Sequence, residues 1–171
     1  MQRTNTAPAY LKDVTPDIYT KKYGAIRTVS QVVAIVRNHP SLAVLRRNFG
    51  EDKIRSIIGL YNIELLDILG MSDKLIPKQS EFIISEILTD FYHLTMIDIA
   101  LVYNQAARGE YGKIFNLSPP QVLGWFRQYD DQRSLEFATH DEKTFYVSTP
   151  QTQIREGKNF DKLYNNKKLP K

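Results

Sequence analysis

The sequence predicts an all-α protein, a compact bundle of about five or six helices with extended N- and C-terminal arms. Through the middle of the chain, apolar residues recur at spacings of three and four, which is the period of a helix that buries one face. Serine, threonine, proline and glycine bound these segments at positions typical of helix ends. The one stretch of strand-like composition, residues 143–149, stands alone, and a single strand cannot form a sheet.

Length and composition are those of an ordinary globular protein. The 171 residues are 42% hydrophobic and 25% charged, which is enough for one domain with a core. The chain has no cysteine, which excludes disulfides, thiolate catalysis and cysteine-based zinc sites. No apolar run approaches the roughly 20 residues of a membrane span, and the first residues lack the apolar core of a signal peptide. We therefore expect an intracellular protein that does not associate with membranes.

Charge divides the chain into three predicted parts. Residues 1–27 form an N-terminal arm with a net charge of +3, and residues 139–171 form a C-terminal basic arm, also with +3. The helical domain between them, residues 28–138, carries −2. Basic arms on a near-neutral body favour contact with an anionic partner, either nucleic acid or an acidic protein surface. The alternative, that short basic tails only keep the protein soluble, stays open.

The C-terminal arm contains most of the basic residues that we predict to contact a partner. Phe160, Leu163 and Tyr164 lie at helical spacing within its polar, basic sequence. Such a segment is expected to be disordered alone or to form a short helix on a partner. The predicted contact residues of this arm are Arg155, Lys158, Lys162, Lys167 and Lys168.

Four helices are predicted before residue 94. Pro40 ends the first, because the residue before a proline is steered out of the helical conformation. Gly50 separates the second from the third, and Pro77 starts the fourth. The predicted spans are 28–39, 41–49, 51–69 and 77–92. Ile68 is assigned to the buried stripe of the third helix, and Phe82 to that of the fourth.

The most strongly specified segment is Leu94–Tyr129, which is predicted to form a helix, a glycine-containing turn and a second helix. Thr95 can cap the first helix, with Asp98 three residues later in the first turn, where acids are favoured. The apolar residues that follow are expected to cover one face of this helix. A residue in the left-handed conformation is expected at Gly109, just after the helix ends.

The second helix of this segment is predicted to begin at Pro119 and to continue to about Ala138. Ser118 and Gln121 form an S-x-x-Q capping box around Pro119. Its apolar residues are expected to lock the two helices together across the turn. We name this predicted structural feature the clasp, and its residues are Gly109, Gly112, Trp125, Phe126 and Tyr129.

The sequence contains no pattern that points to catalysis, to a metal or to a cofactor. Its three histidines are far apart, and the adjacent carboxylates at 51–52 and 130–131 lie in polar contexts. His93, between two predicted helices, is the histidine that most merits attention. Gly109 to Lys113 lacks the G-x-x-x-x-G-K-[ST] pattern of a phosphate loop and follows a helix instead of a strand. We therefore predict a protein that is not an enzyme and holds no cofactor.

Two basic clusters suggest interaction surfaces. Arg46-Arg47 and Lys53-Arg55 could belong to a helix-turn-helix, but the helix that would enter the groove has an apolar middle without basic residues. The second cluster surrounds the turn of the clasp, where basic residues alternate with aromatic ones, a pattern found in single-stranded nucleic-acid sites. The competing interpretation is that the aromatic rings only fill the joint between two helices. The predicted interaction residues here are Arg108, Tyr111, Lys113 and Arg127.

The central stretch resembles a family. It is similar to the C-terminal part of small uncharacterised helical proteins of phages and mobile elements in gut Bacteroidetes, over about residues 80–135. These proteins carry the patterns G-x-Y-G-x-x-[YF] and [ILV]-x-x-W-[LF]-x-x-Y, but their acidic-Gly-Gln turn before the last helix is replaced here by residues 117–121. The resemblance implies a phage or mobile-element origin, and hence the cytoplasm of a bacterial host or the virion. The matching residues are Gly109, Tyr111, Gly112, Phe115, Val122, Trp125, Phe126 and Tyr129.

Two functions are compatible with these observations. The first is a DNA-replication accessory similar to a helicase loader, in which the helical body binds a protein and the basic arms contact nucleic acid. The second is a virion structural protein, such as a head–tail ring or connector subunit, whose arms lace neighbouring subunits. Both imply protein partners, including copies of the chain itself.

Overall fold

Seven helices make up the described part of the chain. A computed structural model of the protein describes residues 14–71, 75–114 and 117–148, the last six by their backbone alone. No strand occurs within these ranges, so the all-α class is confirmed. The count exceeds the expected five or six because α1 lies within the predicted N-terminal arm. The helices are α1 (Pro16–Tyr23), α2 (Val29–Val36), α3 (Leu42–Phe49), α4 (Glu51–Leu69), α5 (Pro77–Asp90), α6 (Met96–Ala107) and α7 (Pro119–Ser148).

The chain divides into two compact units, Met1–Glu136 and Phe137–Lys171. The described residues of the second unit are all helical, because α7 continues to Ser148. The prediction that this helix ends near Ala138 was therefore wrong, and the strand-like composition from residue 143 onward does not produce a strand there. Adding a residue to an existing helix costs little, whereas an isolated strand has no partner for its backbone groups.

The central element of the first unit is α6, whose residues are all buried except Asn104 and Ala107. The sequence predicted burial of one face only. A helix that is apolar on nearly all sides is covered on all sides, and its packing against α4 and α2 provides much of that cover. The ring of Phe126 on α7 packs against the rings of Tyr103 on α6 and Phe91, at centroid distances of 5.7 and 5.5 Å.

The predicted cap of α6 is present. The Thr95 backbone N–H and hydroxyl donate to Asp98 Oδ2 at 2.7 and 2.8 Å, and the Asp98 N–H donates to Thr95 Oγ1 at 3.4 Å. Thr95 also pairs with Ser41, the cap residue of α3, as an isolated bridge. The starts of two helices are thereby held together.

The Asp98 carboxylate also anchors α7. Although acids in a first helical turn are usually solvated, Asp98 is completely buried. The Tyr129 hydroxyl donates to Asp98 Oδ1 at 2.6 Å, and Arg133 Nε donates to the same oxygen at 2.9 Å. Burial, and then the charge of Asp98, raise the pKa of the Tyr129 phenol far above its usual value. Tyr129 therefore keeps its proton and remains a donor.

The chain before α2 packs on the helical body. Val14 and Tyr19 are buried, and the Tyr61 hydroxyl on α4 donates to the Val14 carbonyl oxygen at 2.6 Å. Residues 14–23 of the predicted N-terminal arm thus contribute to the core through their apolar and aromatic side chains. Residues 1–13 lie outside the described residues.

Two residues assigned to buried stripes are exposed. The exposed fraction of Ile68 is 58%, and that of Phe82 is 51%. Both assignments rested on helical spacing alone. The buried face of α4 includes Asn62 and not Ile68, and the buried face of α5 includes Ile84 and not Phe82. Because Asn62 is polar, it was not expected in a core. Its burial means that the buried face of α4 differs from the face that spacing predicted.

We expect Asp98→Ala to lower the free energy of unfolding by about 3 kcal/mol, because it leaves the Arg133 guanidinium without its buried carboxylate and removes an acceptor from the α6 cap. Urea denaturation followed by circular dichroism measures this change. Asp131→Ala, which removes an exposed acid from the same helix as Arg133, is the control and should change stability by less than about 0.5 kcal/mol. Equal effects of the two substitutions would contradict the anchoring role of Asp98.

Candidate functional site

At the turn of the clasp, the left-handed residue predicted at Gly109 is present. Gly109 and Gly112 have φ angles of 76° and 92°, in the left-handed region that favours glycine. The Gly109 N–H donates to the Ala106 carbonyl at 2.9 Å and the Glu110 N–H to the Gln105 carbonyl at 3.0 Å. These two bonds form a Schellman motif that satisfies the last carbonyls of α6. The chain therefore reverses at a helix end that is capped by its own backbone.

The aromatic residues of the clasp face inward. Trp125 and Tyr111 stack with their centroids 5.9 Å apart and their planes 16° apart, and the Tyr111 hydroxyl donates to Gln105 Oε1 at 2.7 Å. Trp125 is 4% exposed, and both Phe126 and Tyr129 are fully buried. A nucleobase needs an exposed ring face for stacking. This geometry therefore favours the interpretation that the rings fill the joint between two helices.

The basic residues around the clasp have different surroundings. Arg108 Nε donates to Glu110 Oε1 at 2.6 Å, and its Nη2 donates to the Arg27 carbonyl oxygen at 3.5 Å. Lys113 lines a shallow depression beside the turn, and Arg127 is exposed on α7. The Arg108 charge is thus partly offset within the chain, which leaves Lys113 and Arg127 as the more accessible cations. The predicted contact residues Arg155, Lys158, Lys162, Lys167 and Lys168 lie outside the described residues.

His93 is tied to α7 through a carboxylate. Its Nε2 lies 2.7 Å from Asp130 Oδ1, with both side chains partly exposed. The pair links the connector between α5 and α6 to the last helix. Within residues 14–71, 75–114 and 117–148, no group of three or more histidine or acidic side chains is arranged to hold a metal ion. In the same ranges, no helix combines the length and apolar character needed to cross a membrane.

Two of the arginines that suggested a helix-turn-helix, Arg46 and Arg55, hold helices together instead. Arg46 Nη1 donates to the Leu88 carbonyl oxygen at 2.9 Å, which connects α3 to α5. Arg55 on α4 donates to Glu81 at 2.6 Å and to Ser85 at 2.8 Å, both on α5. Side chains bound in this way are poorly placed to contact bases in a DNA groove.

A groove between α4 and α5 has a volume of about 580 Å³. Its apolar wall includes Ile63, Leu66 and Ile84, and the Arg55 contacts with α5 lie along its polar edge. Ile63, in this wall, is 56% exposed. Exposed aliphatic side chains beside a groove are typical of protein-binding surfaces. We name this surface, lined by residues of α4, α5 and Leu75, the α4–α5 groove.

A chain of hydrogen bonds connects the groove to the core. The Tyr103 hydroxyl on α6 donates to Asn62 Oδ1 at 2.6 Å, and Asn62 Nδ2 donates to Ser80 Oγ on α5 at 2.8 Å. Burial raises the pKa of the Tyr103 phenol far above its usual value, so it remains a donor. Asn62 and Ser80 both line the groove. The Asn62–Ser80 bond therefore holds α4 and α5 together, and the Tyr103–Asn62 bond attaches this pair to the central helix.

Gly59 lies in the wall of the groove, in the interior of α4. A Cβ added there would have Ile84 Cδ1 as its only neighbour within 4 Å, at 3.7 Å, which is an ordinary van der Waals distance. Packing between α4 and α5 therefore does not require glycine, although glycine costs a helix about 1 kcal/mol relative to alanine. The missing side chain enlarges the groove.

Several residues in the sequence indicate this groove. Gly59 interrupts an otherwise strongly helical segment, and Asn62 follows it on an apolar face. Leu60 and Ile63 are apolar at positions outside the buried stripe of α4. Together these residues indicated a second, partly exposed face, which periodicity of the main stripe did not reveal.

No protein-family model matches the chain, and no curated protein or solved structure is significantly similar to it. The resemblance of residues 80–135 to phage and mobile-element proteins therefore stays a prediction. The function of the chain is therefore inferred from the geometry of the described residues.

We expect Gly59→Ala to raise the free energy of unfolding by about 0.5–1 kcal/mol, because alanine fits beside Ile84 and improves helix propensity. Gly124→Ala in α7 is the matched control, since a Cβ there would have no neighbour within 4 Å. Urea denaturation of both variants should give similar gains. A loss of stability for Gly59→Ala alone would contradict the open space at this position.

Proposed function

We propose that this chain is a non-enzymatic adaptor of a phage or mobile element that serves DNA replication. Its helical body binds a partner protein, and its lysine- and arginine-rich ends contact nucleic acid. The observation that carries the proposal is the α4–α5 groove, an accessible concave surface whose wall includes the exposed aliphatic side chain of Ile63. Such grooves bind segments of other proteins through buried apolar side chains.

Charge supports the nucleic-acid half of the proposal. The helical domain of residues 28–138 has a net charge of −2, whereas residues 139–171 have +3. A chain with this distribution attracts phosphate at one end while its body remains available to a protein. Trp125 is buried in the clasp, so the proposed contact depends on charge and not on base stacking.

The salt dependence of DNA binding tests this function. The full chain is titrated into fluorescein-labelled single-stranded DNA of about 30 nucleotides, over a series of salt concentrations. We expect the logarithm of the affinity to fall linearly with the logarithm of the salt concentration. The double substitution Lys167→Gln and Lys168→Gln should reduce the magnitude of that slope by about 1.4, since each lysine that contacts phosphate contributes about 0.7.

The control for this experiment removes two lysines from the helical body. Lys53→Gln and Lys78→Gln change the net charge equally but affect exposed residues of α4 and α5. Their slope should match that of the native chain. Absence of DNA binding at low salt, or binding that salt does not weaken, would contradict the proposal. A large symmetric oligomer without DNA affinity, detected by sedimentation, would favour the virion subunit instead.

A further inference from the structure

The segment that precedes α2 buries a hydroxyl group. Tyr19 on α1 is 2% exposed, and its hydroxyl has no hydrogen-bond partner among the described residues. Burial raises the pKa of this phenol far above its usual value, so the hydroxyl keeps its proton and remains a donor. A buried donor without an acceptor destabilises the state that buries it, because the hydroxyl loses its hydrogen bond to water. The docked position of α1 therefore includes an unfavourable contact that its release would relieve.

A carboxyl group lies at the edge of α1. A cavity of about 20 Å³ separates α1, α4 and α6, and half-buried Glu64 on α4 lines it together with Pro16 and Thr20 on α1. The polar groups that α6 contributes are neutral, because Asn104 is an amide and burial keeps the Tyr103 phenol protonated. Of the described residues that line this cavity, none is a lysine, an arginine or a histidine.

The charge of Glu64 opposes the docking of α1. Burial, and then the negative charges of Asp17 on α1 and Asp67 on α4, raise the pKa of the Glu64 carboxyl above its usual value of 4.5. Release of α1 would return water to Glu64 and take Asp17 away from it, so the docked state binds the proton more tightly than the open state. Docking is therefore strongest below about pH 4.5 and weakens as the pH rises through the raised pKa.

Gly24 connects α1 to the rest of the body. Its φ of −61° is open to any residue, but a Cβ added there would lie 2.3 Å from the Thr20 carbonyl oxygen. The chain therefore folds this closely onto the end of α1 only because the residue is glycine. When α1 is released, glycine also gives the connection more conformational freedom than another residue would. Both properties suit a hinge.

The polar networks of the core are independent of this segment. The Tyr61 hydroxyl attaches the segment to α4 through the Val14 carbonyl oxygen at 2.6 Å. The hydrogen bonds of Asp98 and Asn62, which join α4, α5, α6 and α7, include no residue between positions 14 and 23. Release of α1 therefore leaves these networks intact. Segments that open separately from the core in this way are common in folded proteins.

We propose that residues 14–23 form a strap that opens at Gly24 while α2 to α6 stay folded, and that the negative charge of Glu64 favours the open state. Opening lets the Tyr19 hydroxyl and the Glu64 carboxylate bond to water. The strap closes in acid and opens more often near neutral pH, and it controls access to the surface of α4 beneath it. The inference does not depend on the proposed function.

Hydrogen–deuterium exchange of the full chain, followed by NMR between about pH 4.5 and about pH 7, tests the proposal. After correction for the intrinsic rate of each amide, residues 18–23 should exchange at least about tenfold faster than α6. Low urea concentrations should accelerate them much less than α6, because a local opening exposes little surface. Their protection should fall at least about threefold as the pH rises across this range.

Three substitutions in the full chain change the strap in opposite directions. Glu64→Gln should remove the pH dependence and raise strap protection at least about threefold near pH 7, because the side chain is then neutral. Tyr19→Phe should raise protection at least about threefold, since it keeps the ring and removes the buried hydroxyl. Gly24→Ala should lower protection at least about threefold, because its Cβ displaces the Thr20 carbonyl.

Matched controls repeat these changes elsewhere. Glu86→Gln lies on α5, Tyr92→Phe changes an exposed tyrosine, and Gly124→Ala adds a Cβ that has no neighbour within 4 Å. Each should leave strap protection within about 1.5-fold of the native chain. Circular dichroism establishes that every variant is folded. Should Gly24→Ala fail to fold, the substitutions of Glu64 and Tyr19 carry the test.

Three results would overturn the proposal. If the strap and α6 share one exchange rate and one urea dependence, residues 14–23 open only when the whole body unfolds. A pH dependence that persists in Glu64→Gln would remove the role of this carboxylate. A loss of protection in Tyr19→Phe would mean that the hydroxyl stabilises the docked state.

Discussion

The fold depends on one buried carboxylate, that of Asp98. It accepts hydrogen bonds from the start of α6 through Thr95 and from α7 through Tyr129 and Arg133. A buried carboxylate without partners would cost several kcal/mol, so the native arrangement is favoured only when all of these donors are in place. Apolar packing alone would allow α7 to slide or rotate along α6. The requirement to satisfy Asp98 selects one register.

The second polar connection in the core runs through Asn62 on α4 and acts in the same way. Tyr103 on α6 donates to Asn62, which in turn donates to Ser80 on α5. Because α6 contributes a partner to both networks, the positions of α5 and α7 are each set relative to the same central helix. The two walls of the groove are therefore joined to each other by Asn62 and Ser80 and to the core by Tyr103.

The sequence predicted the helices well because their ends are local features. The Thr95–Asp98 cap and the turn at Gly109 depend on residues within one or two helical turns. It did not predict the burial of Asp98, because that burial depends on Arg133, thirty-five residues away. Nor did it predict the groove, since Asn62 and Ser80 meet only after α4 and α5 pack together. Patterns along the chain report local geometry, while polar partners across helices are decided by packing.

The residues at positions 59, 60 and 63 of α4 are not required for the stability of the fold. Alanine at position 59 would stabilise α4, and polar residues in place of Leu60 and Ile63 would reduce the apolar area in contact with water. The hydrogen bonds of Asn62 and the packing of Ile84 do not depend on which residues stand at positions 59, 60 and 63. Gly59 and the exposed Ile63 thus lie together in one wall of the groove. Contact with another molecule in the groove would fill the space at Gly59 and cover Ile63 at the same time.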